Sequence, residues 1–275
     1  MVSRFQKKVI IVSVIVIVFF LLWTLIPIVF LAQQSIKPRL LMFADPPQFI
    51  FQPIADHYIT IFTRNNIPLL MKNSLIVASS TTVLCLVLGS MCAYALSSLK
   101  LPGKNFWAFM ILMTRMVPVG TLMVPIYVIM RMMGLANTYV AIIFAHTVIN
   151  LSFAVWMMRS FFDEVPAELE QAAMVDGCSR IQSFFKIVLP LASAGLAATG
   201  ILTMLNSWNE FMFALILSNN STRTLPIGIA SFLGVSIDWG GSSAAAVTAC
   251  LPIFIAGIFI QKYLVRGLTM GAIKG

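Results

Sequence analysis

Arg115 and Glu210 stand in stretches that are otherwise apolar. A charged side chain at the centre of a bilayer costs a few kcal/mol or more, so it faces a water-filled path or a partner rather than lipid. Arg115, followed by Pro118 and Gly120, either contacts a polar or anionic solute or pairs with an acid such as Glu210 and ties two helices together. Thr199, Thr203, Asn206 and Glu210 recur at i, i+4, i+7 and i+11. At about 100° per residue they fall within roughly 60° of arc, a polar stripe on an apolar helix with Asn209 at its edge and Trp208 pointing away. The stripe either lines a pathway or hydrogen-bonds neighbouring helices. His146 and Asn150, four apart, share a face of another helix. A helix–helix hydrogen bond suits them better than a proton relay, since that segment carries no partner acid. Covalent chemistry has no support: there is no G-x-x-x-x-G-K-[ST] phosphate loop, no His/Cys/Asp set at metal-ligand spacing and no serine elbow. Cys85, Cys92, Cys178 and Cys250 have neither metal nor obvious disulfide spacing and read as packing residues.

A second concentration of polarity lies between Asp163 and Pro190, which holds five of the nine acidic residues: Asp163, Glu164, Glu168, Glu170 and Asp176. The segment reads as two short helices. Asp163 fits an N-cap and Pro166 a first turn. Leu169, Ala172 and Ala173 form a small apolar face, and Gly177 supplies the left-handed residue that ends the helix. Ser179 fits the cap of a second helix, on which Ile181, Phe184, Phe185 and Val188 make an apolar stripe. Leu189-Pro190 breaks that helix and opens the next apolar run. By periodicity alone this is an amphipathic loop lying on a membrane surface.

The elements that must position these residues are membrane spans. Hydrophobic residues make up 60% of the 275, charged residues 10%, and mean hydropathy is +0.96. Soluble domains are about a quarter charged, so the chain is an all-α integral membrane protein. Six runs approach the roughly 20 residues that a helix needs to cross a bilayer. They are Val9 to Leu31, Leu69 to Leu96, Phe106 to Ile129, Tyr139 to Met158, Leu191 to Leu217 and Ala244 to Tyr263. An outer loop (32–66), the polar segment (163–190) and a tail (264–275) complete one transmembrane domain over 1–275. The first run is too long for a signal-peptide core and reads as a retained anchor. With the N-terminus inside, eleven Lys/Arg fall on the inner side and six on the outer, which favours N-in/C-in and puts Asp163–Pro190 in the cytoplasm. The net charge of +9 then reflects residues flanking spans, not nucleic-acid binding.

The order Gln171-Ala172-Ala173, three residues, Gly177, then Ile187-x-Leu189-Pro190 resembles the EAA loop of binding-protein-dependent ABC importers. Ser207-Trp208-Asn209-Glu210 resembles the Trp-Asn-Asp/Glu signature on the fifth span of carbohydrate-importing permeases. Asn73-Ser74-Leu75, Gly134-Leu135, Asn137-Thr138-Tyr139 and the C-terminal Gly267–Gly275 extend the likeness over nearly the whole chain, toward the smaller permease subunit of the maltose-transporter class. The resemblance implies a bacterial inner-membrane, multi-pass subunit that catalyses no chemistry. Its implied partners are a second permease, two ATP-binding cassette subunits, a periplasmic solute-binding protein, a sugar substrate and membrane lipid. It implies that this chain binds no cofactor, ATP and Mg being held by the ATPases. Glu168, Glu170, Gln171, Ala172, Ala173, Asp176 and Gly177 would form the ATPase-coupling element, and Thr269, Gly271, Lys274 and Gly275 a tail reaching between the ATPases. Arg115, Thr203, Asn206, Asn209 and Glu210 would lie on the translocation pathway. The family usually has Glu where this chain has Gln171, so a salt bridge to the ATPase would weaken or pass to Glu170 or Glu168. The alternative is a self-sufficient channel or secondary transporter in which Arg115 and Glu210 carry ion coupling.

A cation where the span should be apolar biases a cavity toward polyhydroxylated or anionic sugar derivatives. Arg115→Ala is therefore expected to alter uptake rate or selectivity in a folded complex. Unaltered rate and selectivity in proteoliposomes would remove Arg115 from the pathway.

Overall fold

The structure is a computed structural model that describes residues 4–234 and 237–270. Every regular element among the described residues is helical: α1 (Arg4–Ser35), α2 (Arg39–Met42), α3 (Asp56–Thr63), α4 (Ile67–Ser98), α5 (Lys104–Thr114), α6 (Val119–Met132), α7 (Tyr139–Asp163), α8 (Ala167–Val175), α9 (Arg180–Ser183), a π-helical turn (Phe184–Val188), α10 (Leu189–Leu191), α11 (Ser193–Trp208), α12 (Met212–Leu217), α13 (Leu225–Ser231) and α14 (Trp239–Met270). Three stretches, Val9–Ser35, Ile67–Ser98 and Tyr139–Asp163, are long and apolar enough to cross a membrane, and up to five if each of two bent helix pairs is one span.

The bent pairs replace two runs expected to be continuous. Within 106–129 the chain breaks between α5 and α6, whose axes meet at 90°. Pro118 heads α6 with ψ of 132° and φ of −58°, an extended conformation. Its missing N–H and its ring exclude a continuous helix through Val117, so Arg115 ends up as the C-terminal cap of α5. The second pair, Arg180–Leu191 with Ser193–Trp208, is bent by 78°. The bend falls beyond Leu189-Pro190, at Ala192. The π-helical turn ahead of Pro190 accommodates a residue that cannot donate to the helix ladder. The 191–217 run is interrupted again, between α11 and α12, at Asn209–Phe211.

One compact unit comprises Pro68–Gly228 with 252–270, and α7 is its centre. Thr138 caps α7 by accepting from Ala141 N at 3.4 Å. Helices α5, α6, α11 and α12 all pack on α7. Where α4 crosses it, Gly89 faces Ala154, and a Cβ at Gly89 would lie 2.9 Å from the Ala154 Cβ. Near the opposite end of α4, Asn73 Nδ2 donates to the carbonyls of Ser221 (2.9 Å) and Arg223 (2.8 Å) while its Oδ1 accepts from Tyr139 Oη (2.7 Å). Ser74 Oγ accepts from Leu225 N at 2.8 Å. The Asn73-Ser74 pair is thus a clamp on the loop after α12.

The other unit comprises the described residues of 4–67 and 229–251. Here α1 exposes its apolar side chains from Val9 to Phe30. The His57-Tyr58 pair closes the following loop: His57 Nε2 lies 2.9 Å from the Lys37 carbonyl, and Tyr58 Oη 2.9 Å from Ser35 Oγ. Asp238 pairs with Arg39 at 3.0 Å and accepts from Gly241 N at 3.1 Å, fixing the start of α14.

The Gly89 contact gives a stability test. Overpacking a tight contact costs about 1–3 kcal/mol. Gly89→Val is expected to lower the thermal unfolding midpoint of the detergent-purified protein, whereas Gly120→Val, with no atom within 4 Å of its Cβ position, is expected to leave it near wild type.

Candidate functional site

The polar segment is built around α8. Asp163 does not cap it. Asp163 is the last residue of α7, where it accepts from Ser97 Oγ at 2.6 Å and pairs with Arg159 at 3.6 Å, so its carboxylate is already engaged by α4 and α7. Pro166 occupies the capping position instead. Gly177 ends the helix at φ +92°, a conformation that strains any residue carrying a Cβ. Ser179 then starts α9 with a reciprocal capping box: Gln182 N donates to Ser179 Oγ, and Ser179 N donates to Gln182 Oε1 at 2.8 Å.

The faces differ from the sequence reading. On α8 the buried residues are Glu170 and Ala173. Leu169 and Ala172, expected on the packed face, are exposed together with Glu168, Gln171, Asp176 and Val175, the last 88% exposed. Turning by about 100° per residue puts Glu168, Ala172, Val175 and Asp176 together, opposite Glu170 and Met174. The stripe on the second helix splits likewise: Phe184 and Val188 are buried, while Ile181 is 71% exposed and Phe185 57% exposed. A π-helical turn has about 4.4 residues per turn rather than 3.6, so it carries Phe184 and Val188 inward and leaves Ile181 and Phe185 outside.

Glu170 is the acid that points in. Its Oε1 accepts a hydrogen bond from Tyr94 Oη, near the end of α4. The Tyr94 ring is held by Phe184, 4.7 Å between centroids, and by Phe162 at 6.4 Å edge-on. Beside them lies a cleft of about 410 Å³ whose lining includes Ser97, Lys100, Asp163, Gln171 and Arg180.

Deeper in the helical unit, the stripe on α11 divides. Thr199 and Thr203 are buried, and their hydroxyls have no hydrogen-bond partner among the described residues. Asn206 and Asn209 are exposed, Asn209 Nδ2 donating to the Leu205 carbonyl at 2.9 Å. Glu210, in the break after α11, accepts from the backbone N–H groups of Phe213 (3.0 Å) and Ala214 (3.2 Å). His146 completes the arrangement: Nε2 lies 2.9 Å from Glu210 Oε2 and Nδ1 2.8 Å from Ser207 Oγ. Asn150 Nδ2 donates back to the His146 carbonyl at 2.8 Å. The helix–helix bond expected of His146 is therefore made with Glu210 and Ser207.

Arg115 does not pair with Glu210. Its guanidinium lies 4.6 Å from the Phe153 ring centroid, a cation–π contact on an exposed side chain. Phe153 and His146 are seven residues apart on α7, about 10 Å along its axis, so the two charges are held at different levels. Thr269 falls in the last turn of α14, and Gly271, Lys274 and Gly275 lie outside the described residues. Sequence reasoning missed the roles of Tyr94 and Ser207, since both meet partners more than 60 residues away and no local spacing signals such a contact.

Residues 85–270 match the family of binding-protein-dependent transport system inner membrane components, and the chain belongs to it. It is 35% identical to the trehalose/maltose transport system permease protein MalG of Thermococcus litoralis, over 85% of this chain and 88% of that one. It is 36% identical to the sulfoquinovosyl glycerol transport system permease protein SmoH of Agrobacterium fabrum, over 91% and 89%. A chain from the crystal structure of a bacterial ABC transporter involved in alginate import shares the fold, with a TM-score of 0.78 and 23% identity over 96% of this chain and 99% of that one.

Leaving a buried polar group without its hydrogen-bond partner costs about 1–3 kcal/mol, and more where the group is charged. His146→Ala is expected to destabilise the purified protein on that scale, and His146→Ala/Glu210→Ala by less than the sum of the single changes. Asn206→Ala, on the exposed side of α11, is expected to leave the unfolding midpoint within about 0.5 kcal/mol of wild type. Thermal unfolding in detergent reads all three.

Proposed function

We propose that this chain is a permease subunit of an ATP-driven, binding-protein-dependent importer that carries a sugar or sugar derivative across the bacterial inner membrane by alternating access. Family membership and relatives named for trehalose/maltose and sulfoquinovosyl glycerol transport support the substrate class. In this reading six spans run N-in/C-in, with α14 as the sixth. The chain works with a second permease, two ATP-binding cassette subunits that hold ATP and Mg, and a periplasmic binding protein that delivers the sugar. It performs no hydrolysis itself.

The observation that carries the reading is the outward face of α8. Ala172 and Val175 stay exposed between Glu168 and Asp176, with Gln171 at the edge, on a helix whose turn at Gly177 fixes its direction. An apolar stripe flanked by charge suits a protein partner. We assign this face to the ATPase, and Thr269 with the tail beyond it to the same partners. Asn206, Asn209 and Arg115, all exposed, are assigned to the pathway, with Thr203 and Glu210 behind them. Glu210 engaged by His146 and two backbone N–H groups is poorly placed to carry ions, which disfavours a self-sufficient carrier.

Co-purification from the native membrane is expected to recover an ATPase, a second permease and a solute-binding protein. Val175→Glu and Gly177→Asp are expected to cut ATPase recovery and ATP-dependent uptake at least ten-fold while the chain remains in the membrane. Uptake by the purified chain alone in liposomes would replace the importer with an independent carrier.

A further inference from the structure

We propose that Glu170 and Tyr94 form a positioning pair that transmits movement of the docking helix to α4, and that Glu170 is therefore not part of the ATPase-facing surface; this rests on the importer reading above. The first observation is burial. The neighbouring acids Asp163, Glu164, Glu168 and Asp176 are all exposed, whereas Glu170 is 7% exposed. A buried carboxylate is costly unless hydrogen-bonded, and the Tyr94 hydroxyl supplies the bond.

Direction is the second observation. An apolar contact tolerates sliding, but a hydrogen bond to a charged oxygen has a narrow range of length and angle. Only Ala173 and Glu170 bury themselves from α8, so the polar bond is the directional tie between this helix and α4. The Tyr94 ring cannot yield sideways, since Phe184 and Phe162 pack against it. The main-chain link from α7 into α8 passes through Glu164, Val165 and Pro166, outside any helix. That link leaves α8 free to tilt about its entry.

The third observation is what α4 does at its other end. It is an unbroken helix of 32 residues, about 48 Å long. Asn73 and Ser74 lie roughly 30 Å from Tyr94 along its axis, and there they grip the loop at Ser221, Arg223 and Leu225. Helix α4 thus links the docking helix to the loop on the opposite side of the membrane, held by hydrogen bonds at both ends.

The test uses the full transporter complex in proteoliposomes, with ATP hydrolysis and substrate uptake measured on the same vesicles. Tyr94→Phe removes the hydroxyl and keeps the ring. The expected result is that ATPase subunits still co-purify and hydrolysis persists, while substrate moved per ATP falls at least five-fold. Glu170→Ala is expected to do the same, Glu170→Gln, which can still accept from the hydroxyl, to retain most of the coupling, and Tyr94→Phe/Glu170→Ala to be no worse than either change alone. A purely structural role would reduce the amount of folded complex without changing the ratio of uptake to hydrolysis, and that result would overturn the proposal. So would loss of ATPase co-purification with Glu170→Ala but not with Tyr94→Phe, since it would place Glu170 on the docking face. Failure of the wild-type chain to recover any ATPase would instead sink the importer reading.

Discussion

Hydrocarbon offers no hydrogen bonds, so every backbone group freed at membrane depth must find its partner within the protein. In the six-span reading that constraint governs the break after α11. Ending a helix there leaves the amides that open α12 without carbonyls to bond, and the Glu210 carboxylate accepts from two of them. A carboxylate so placed needs a partner of its own, and His146 on α7 provides it while also meeting Ser207. An interruption in one helix is in this way fixed by a side chain from another. The exposed Asn206 and Asn209 sit at the end of a helix whose termination is held from behind, which keeps them from drifting with a frayed turn.

The segment around α8 obeys a related rule with a different outcome. Helix α8 is polar enough to lie in water, so solvation alone would leave its acids free. One of them is nevertheless taken inside and bonded to a tyrosine lodged in an aromatic cluster. Turning Glu170 inward brings Ala172 and Val175 outward, where an isolated chain has no use for exposed apolar groups.

Local chemistry was legible in the sequence; long-range partnership was not. Gly177 and Ser179 were readable because a left-handed residue and a cap depend on neighbours within a few positions. The membrane class followed from composition, and the inner-membrane transport family from the order of short motifs, which the match over 85–270 supports. Asp163 was misassigned because a capping residue in the right place looks the same whether or not Ser97 and Arg159 have claimed it. The break at Pro118 was visible in principle, but an apolar run of the right length hid it. The apolar stripe from Ile181 to Val188 assumed 3.6 residues per turn, and the wider turn there changes which side chains face in. The polar stripe on α11 was a true stripe on a helical wheel, yet its threonines and its asparagines meet different surroundings.

The π-helical turn has a further consequence, for the length of the chain. A turn of this kind holds one residue more than an α-helical turn. Deleting a residue between Phe184 and Val188 would let the ladder close as an ordinary turn and leave the flanking segments in register, whereas an insertion or deletion in the α-helical turns beside it would rotate everything on the N-terminal side by about 100° relative to α11. With such a change the capping box, glycine turn and α8 would swing together, carrying Glu170 away from Tyr94 without a change in any of their identities. Substitutions on the outer side of this segment, at Ile181 or Phe185, meet little resistance from the fold. Insertions and deletions outside the π-helical turn meet a great deal, so the spacing from Gly177 to Phe184 is held more tightly than most of the residues that fill it.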